Sequence, residues 1–215
     1  MDRKELVTFL STDLSKGFDT LYPALTIKKL KAYGFGNRSL DLMRSFFDRR
    51  FNMVKINGHT SQRKTMARGC PQGTTFEPLL WNMFQNDIAY HVNVPTLTKY
   101  TDDHQLYAAG ETHGTVESRL KTQGHLASSW FKNNFLFVNS EKFQSLIVNP
   151  RNIDEENDDK TLNIDNHDIR KTEQIKLPRV YIEEIESQQR VILASYVREL
   201  VKSRNTCTSA KLNTL

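Results

Sequence analysis

Leu97-Thr98-Lys99-Tyr100-Thr101-Asp102-Asp103-His104-Gln105-Leu106-Tyr107-Ala108-Ala109 reads as strand, tight turn, strand. Its centre sets two carboxylates side by side, which is costly unless something positive lies between them. In a hairpin turn that positive species is usually a divalent cation. A third carboxylate on a neighbouring strand would complete a two-metal site for phosphoryl transfer. Asp13, at the end of the alternating run Val7-Thr8-Phe9-Leu10-Ser11-Thr12-Asp13-Leu14, is the candidate. Taken alone, the doublet also reads as a solvated turn.

The chain around this hairpin has 215 residues, enough for one domain with a real core, or a domain plus an appendage. Hydrophobic residues make up 38% and charged residues 26%, which fits a soluble globular protein. The longest apolar runs, such as Pro78-Leu79-Leu80-Trp81-Asn82-Met83-Phe84, are far too short to span a bilayer. Met1-Asp2-Arg3-Lys4-Glu5 lacks the apolar core of a signal peptide. The expectation is a chain that is not secreted, meets no membrane and works inside the cell, in nucleus or cytoplasm. Cys70 and Cys207 have the spacing of neither a zinc motif nor a disulfide framework, so both are expected as reduced thiols.

Charge is uneven. Residues 1–150 carry 19 Lys+Arg against 13 Asp+Glu, and residues 151–215 carry 11 against 12. The excess concentrates in Arg38, Arg44, Arg49, Arg50, Lys55, Arg63, Lys64 and Arg68, set against only Asp41 and Asp48. Such a stretch attracts polyanions, and Arg49, Arg50, Arg63, Lys64 and Arg68 are the candidate nucleic-acid contacts. An ordinary solvated surface is the rival reading.

Periodicity and punctuation predict the elements. A strand ends at Asp13. A helix runs from Tyr22 to Tyr33 and closes at Gly34, and a second runs from Ser39 to Arg49 with an apolar face of Leu40, Leu42, Met43, Phe46 and Phe47. Phe51–Ile56, the turn Asn57-Gly58 and Gln62–Met66 form a hairpin. Gly69-Cys70-Pro71-Gln72-Gly73 breaks regular structure before a helix from about Pro78 to His91. After the acidic hairpin comes a long helix over His113–Asn134, blemished by Gly124, and then strands over Phe135–Val138 and Lys142–Val148. Arg151–Lys160 holds five acids in ten residues and reads as a solvated linker. Short β-like pieces follow at Leu162–Asp165, Gln174–Leu177 and Val180–Ile182, with a helix over Ile185–Lys202. The predicted division is 1–150, a linker at 151–161, and 162–215.

Four motifs occur in order: Asp13-Leu14-Ser15-Lys16-Gly17-Phe18-Asp19, Gly69-Cys70-Pro71-Gln72-Gly73, Tyr100-Thr101-Asp102-Asp103, and Trp130 through Lys142 with Asn139-Ser140 near its end. The series resembles the palm of reverse transcriptases encoded by non-LTR (LINE-like, jockey-like) retrotransposons, well over residues 5–150 and more weakly through Ile175–Leu215. The resemblance implies an α+β fold: a polymerase palm with an antiparallel sheet of about four strands backed by helices, plus a partial, thumb-like segment. It implies RNA-directed DNA polymerisation, in which two Mg²⁺ ions (Mn²⁺ as a substitute) assist transfer of a nucleotide to a primer 3′-hydroxyl. The implied partners are an RNA template, a DNA primer and dNTPs.

Residue by residue, Asp13, Asp102 and Asp103 resemble the metal-binding carboxylates, Asp103 the less direct of the pair. Hard oxygen ligands suit Mg²⁺. Phe18 stands at the position of a ring beneath the incoming sugar, where it would collide with a ribose 2′-hydroxyl; plain core packing is its rival reading. Gln72 and Gly73 resemble the residues that position the nucleotide, and Lys142 a general acid near the leaving phosphate. Asp19 reads as a helix start rather than a metal ligand.

The chain also departs from the pattern. It begins twelve residues before Asp13, so the resemblance implies a truncated chain with the fingers missing. Thr74-Thr75-Phe76-Glu77-Pro78 replaces the usual small residue, apolar pair, Gly and Pro. Thr101 stands where Ala is commoner. Lys176-Leu177-Pro178-Arg179-Val180 replaces a Gly-containing primer grip. The expectation is weak or undetectable polymerisation by this chain alone. Rival readings are a catalytically dead nucleic-acid-binding remnant of a retroelement, a translation product without a role, and a Mg²⁺ nuclease, which would not need the Gly69–Gly73 loop.

Overall fold

The computed structural model describes residues 6–92, 97–148, 162–164, 167–172, 174–177 and 180–183. The polypeptide divides into two compact units: residues 14–88 with 129–138, here the helical unit, and residues 1–13, 89–128 and 139–215, here the sheet unit. The expected linker at 151–161 and helix over Ile185–Lys202 lie outside the described residues.

β1 (Leu6–Thr12) opens the sheet unit and is buried along nearly its whole length. Its sequence explains this, because apolar residues fall at both even and odd positions and leave no wet face. The helical unit then contributes α1 (Gly17–Thr20), α2 (Pro23–Ala32) and α3 (Asn37–Phe47). The short ladders β2 (Phe51–Asn52), β3 (Lys55–Ile56), β4 (His59–Thr60) and β5 (Lys64–Thr65) follow, then α4 (Phe76–Phe84). β6 (Leu97–Tyr100) and β7 (Asp103–Gly110) form the acidic hairpin. The long helix α5 (His113–Asn133) and β8 (Gln144–Val148) come next. The later strands are β9 (Leu162–Ile164), β10 (His167–Lys171), β11 (Gln174–Leu177) and β12 (Val180–Glu183).

The main sheet has six strands in the order β6-β7-β1-β8-β10-β9. Every pairing is antiparallel except β10 with β8. The four-strand antiparallel expectation therefore needs correcting: β9 and β10, from beyond the composition break at Pro150, extend the same sheet. Val7, Phe9, Leu146 and Val148 pack with Tyr107 and Ala109 on one face, closed by Ile175 of β11. The opposite face carries Leu10, Leu106 and Ala108, all buried. Gly124 of α5 has a packing reason, since a Cβ there would collide with Ile164 of β9.

In the helical unit, α2 closes at Gly34 (φ +89°), as the sequence predicts. α3 is capped by Gly36 rather than Ser39, and Leu42 is exposed while Leu40, Met43 and Phe47 face the core. Asn57 and Gly58 both take positive φ at the hairpin turn, the geometry that Asn-Gly favours. Phe135–Val138 forms no strand, only an isolated bridge between Val138 and Leu14. An aromatic core links Trp81 to Phe18, Phe84 and, through Phe84, to Trp130. Lys29 is buried against it. Its Nζ donates to the Phe84 carbonyl and to Asp87 Oδ1, each at 2.7 Å, and lies over the Phe84 and Trp130 rings. Burial lowers the Lys29 pKa, and Asp87 opposes that shift.

Candidate active site

The register of β1 against β7 brings the acids to one corner of the sheet unit. Thr12 pairs with His104 on the last rung, so Asp13 follows directly on one strand of that rung and Asp103 precedes it on the other. Alternation keeps Phe9, Ser11 and Asp13 on the side of Tyr107, Gln105 and Asp103. Thr12 Oγ1 donates to the His104 carbonyl at 3.1 Å and ties the two strands together just below the acids. His104 is buried, which pulls its pKa down to about 4, so its ring is neutral at physiological pH. Its Nδ1 lies 3.1 Å from the Asp102 carbonyl and braces the turn from behind.

Thr101 bears the turn itself. Its φ is +54°, a left-handed conformation that a β-branched residue rarely takes. Its hydroxyl donates to Asp102 Oδ1 at 2.9 Å. Thr101 was legible in the sequence only as a small residue; its grip on Asp102 depends on the turn geometry.

Lys142 enters the same corner from the 3-10 turn Ser140–Lys142. That turn is anchored by the Asn139 N–H donating to the Asp13 carbonyl at 3.1 Å. Lys142 Nζ stands 2.8 Å from Asp13 Oδ2. The contact is short but oblique: this buried oxygen meets no aligned hydrogen-bond donor, so an ion pair describes it better. Asp13, by this contact and its charge, raises the Lys142 pKa, and Asp102 and Asp103 add to the effect. One cation therefore senses all three predicted carboxylates.

The three acids do not form a ready cage. Among the described residues, no three Asp, Glu, His or Cys side chains stand close enough to hold a metal ion by themselves. The donor chemistry still fits Mg²⁺, which is commonly held by one or two carboxylates with waters and substrate phosphates completing its shell. A buried, ion-paired Asp13 oxygen beside a cation is consistent with that use.

The nucleotide-positioning candidates belong to the helical unit. Phe18 is half-buried and packs on Trp81 at 5.0 Å. Asp19 lies in the first turn of α1, whose cap is Lys16, and its Oδ1 also accepts from Gln72 Nε2 at 2.7 Å. Gly69 has φ +80°, and a Cβ there would meet the Asp19 carbonyl at 2.9 Å. The close approach that this glycine permits is thus to the chain's own backbone. The Gly73 N–H donates to Glu77 Oε2 at 2.8 Å, which gives the anomalous Glu77 a local role.

The five basic candidates separate into two kinds. Arg49, Arg63 and Lys64 are exposed. Arg50 serves the fold, donating to the Phe47 and Arg68 carbonyls and lying over the Phe47 ring. Arg68 lies over Tyr22 and Phe137.

The geometry describes a mixed α+β fold with carboxylates near one strand end, and comparison with known proteins supplies the family. Residues 1–190 match the family profile of reverse transcriptase (RNA-dependent DNA polymerase), and the chain belongs to that family. Its members generally use divalent metal ions. The chain is 28% identical over 148 residues to a probable RNA-directed DNA polymerase from transposon BS of Drosophila melanogaster. It is 25% identical over 149 residues to the RNA-directed DNA polymerase from mobile element jockey of the same organism. Each match covers 66% of this chain but only 16% of the relative. In fold the chain resembles apo telomerase of Candida tropicalis, with a TM-score of 0.56, 12% identity, and coverage of 83% of this chain and 34% of that one. Telomerase of Candida albicans, solved with a fragment of telomeric RNA, gives 0.51 at 12% identity, with 83% and 30% covered.

Proposed function

We propose that this chain is the nucleotidyl-transfer core of an RNA-directed DNA polymerase of a non-LTR retrotransposon, with the sheet unit as its palm. The observation that carries the reading is the β1–β7 register, which aligns Asp13 with the acidic turn, together with Lys142 paired to Asp13 at 2.8 Å. Asp13 and Asp102 would hold divalent cations, with Asp103 less direct. Mg²⁺, when bound there, would ease negative charge on the attacking primer 3′-oxygen and the leaving pyrophosphate.

The chain's own residues do the rest by positioning and electrostatics. Lys142 has its pKa raised and so carries its proton at neutral pH. It would be placed to give that proton, or simply its charge, to the leaving phosphate. Gln72 and Gly73 would orient the nucleotide, and Phe18 would discriminate against a ribose. Arg63 and Lys64, with Arg49 whose Nε also donates to Asp48 Oδ2 at 2.9 Å, are exposed cations that would meet template and primer phosphates.

Primer extension on an RNA template, with dNTPs and Mg²⁺ or Mn²⁺, tests this. Low-yield synthesis that disappears in Asp13→Asn is expected. Synthesis that survives Asp13→Asn would overturn the reading. Salt-dependent nucleic-acid binding that persists in Asp102→Asn, with no incorporation by any form of the protein, would favour a non-catalytic remnant instead.

A further inference from the structure

Within the helical unit, three large rings stay in water around one guanidinium. Tyr22 is 36% exposed, Phe135 50% and Phe137 60%. Tyr22 meets Phe135 edge-on at 5.3 Å. The Arg68 guanidinium carbon lies 5.7 Å from the Tyr22 ring centre and 5.8 Å from that of Phe137. Arg68 Nη1 also reaches the Phe135 carbonyl at 3.4 Å, so the guanidinium is held among the rings.

The closure of α5 explains the backbone here, but not why the rings stay exposed. Leu136, between the two phenylalanines, is the residue that anchors the segment, at 5% exposure. Phe135 itself has φ +59°, a conformation glycine would adopt without strain. It is the residue that closes α5, where the Leu136 N–H donates to the Phe131 carbonyl and the Phe135 N–H to the Lys132 carbonyl, each at 3.0 Å, and its ring stands in solvent. Scattered apolar side chains on a surface need no explanation, but three rings gathered on one arginine form a patch.

Charge indicates what covers the patch. The helical unit carries 13 Lys+Arg against 5 Asp+Glu, a net of +8. Residues 49–70, which include Arg68, contain six Lys+Arg and no acid. Aromatic faces and a planar cation in a positive field suit unpaired nucleobases joined by phosphates. A duplex hides its base faces and offers the rings nothing.

We propose that Tyr22, Phe135 and Phe137, gathered around Arg68, form a stacking platform for single-stranded RNA. The choice of RNA over DNA rests on the polymerase reading above, whereas the platform uses neither Asp13 nor Asp102.

Fluorescence anisotropy of the full chain with a short, unstructured, labelled RNA tests the proposal. The double variant Phe135→Gly/Phe137→Ala should weaken binding about 10- to 100-fold, the loss expected for one or two stacked bases. Phe137→Trp should keep the wild-type affinity. Duplex RNA of equal length should bind both proteins alike. The double variant should melt no more than about 4 °C below the wild type, because the rings are exposed and glycine relieves the left-handed φ. If it melts lower, Phe137→Ala alone carries the test. Unchanged affinity in that variant, or equal losses for single strand and duplex, would overturn the platform. Single-stranded DNA bound as tightly, with the same dependence on Phe137, would overturn the assignment to RNA. Platform-dependent RNA binding by a chain that never extends a primer would leave the platform standing and remove the polymerase reading. Extension with binding indifferent to Phe137 would do the reverse.

Discussion

The two units of this chain divide their charge in opposite senses. The helical unit has a net charge of +8, while the sheet unit, with 17 Lys+Arg against 20 Asp+Glu, has −3. The sheet unit's candidate site gathers like charges near one strand end, with Lys142 paired to one of them. The helical unit does the converse. It spreads positive charge over an exposed hairpin and buries one cation, Lys29, in an aromatic cage. Local concentration of charge of one sign suits chemistry on a phosphate, and a diffuse field of the other sign suits holding a polyanion. The contrast predicts that substitutions in the two units fail in different ways.

The largest effect should fall on the sheet unit. Asp13→Asn and Asp102→Asn should each reduce nucleotide incorporation by about 10³-fold or more, the scale for losing electrostatic groups aimed at a transition state. The melting midpoint, measured in parallel, should barely move. A collapse of the fold in either variant would break the contrast, because it would make the acids structural.

In the helical unit, stability should suffer first. Lys29→Ala should cost about 2–4 kcal/mol in chemical denaturation, from the lost pair with partly exposed Asp87 and the cavity among the rings. Gly69→Ala should cost a similar amount, about 2–3 kcal/mol, because its φ of +80° and the Asp19 backbone both exclude a Cβ. Either variant at wild-type stability would show that the helical core is looser than its contacts imply.

A smaller effect should set stability against binding at one residue. Thr101→Gly should stabilise the fold by about 1 kcal/mol through relief of the left-handed φ. It should also weaken Mn²⁺ binding several-fold, since Asp102 loses the hydroxyl that orients it. Thr101→Ser, which keeps the hydroxyl, should hold Mn²⁺ as the wild type does. Equal affinity in all three proteins would remove Thr101 from the site.

The smallest effect concerns Cys70. Burial pushes its thiol pKa up to about 12, so almost no thiolate forms between pH 7 and 9. In a Cys207→Ser background, alkylation of the native protein should stay slow and gain little as pH rises through that window. Denatured protein should react faster with every increment of pH. Rapid native labelling would show that this loop opens.

Much of the fold was legible because local pattern and local structure agree. The β-forming residues of 6–14, the helix over Tyr22–Tyr33 with its closing Gly34, the Asn57-Gly58 turn and the acidic hairpin all carry signals within a few residues of the feature they specify, although β1 is buried on both faces instead of alternating. Legibility failed where several local signals compete or a distant partner decides. Ser39 is a sound cap by composition, yet Gly36 occupies that position and the helix starts earlier. Asp19 does stand in the first turn of α1, but the hydrogen bond its carboxylate accepts from the Gln72 amide, 53 residues away, was not legible. Phe135–Val138 has strand-like composition, but Val138 reaches only an isolated bridge and Phe135 turns left-handed.

By itself the sequence determined which chemistry is possible: hard carboxylates at the ends of β-forming runs, a glycine-flanked Pro-Gln loop, and a basic stretch without acids, because residue type and short-range spacing set donor chemistry and turn preference. Only the tertiary structure decided which groups meet. Strand register brought the end of β1 beside the start of β7, and a 3-10 turn set Lys142 against Asp13 across 129 positions of chain. Register is chosen by the fit of whole strand faces into a core, a cooperative property that no single motif contains.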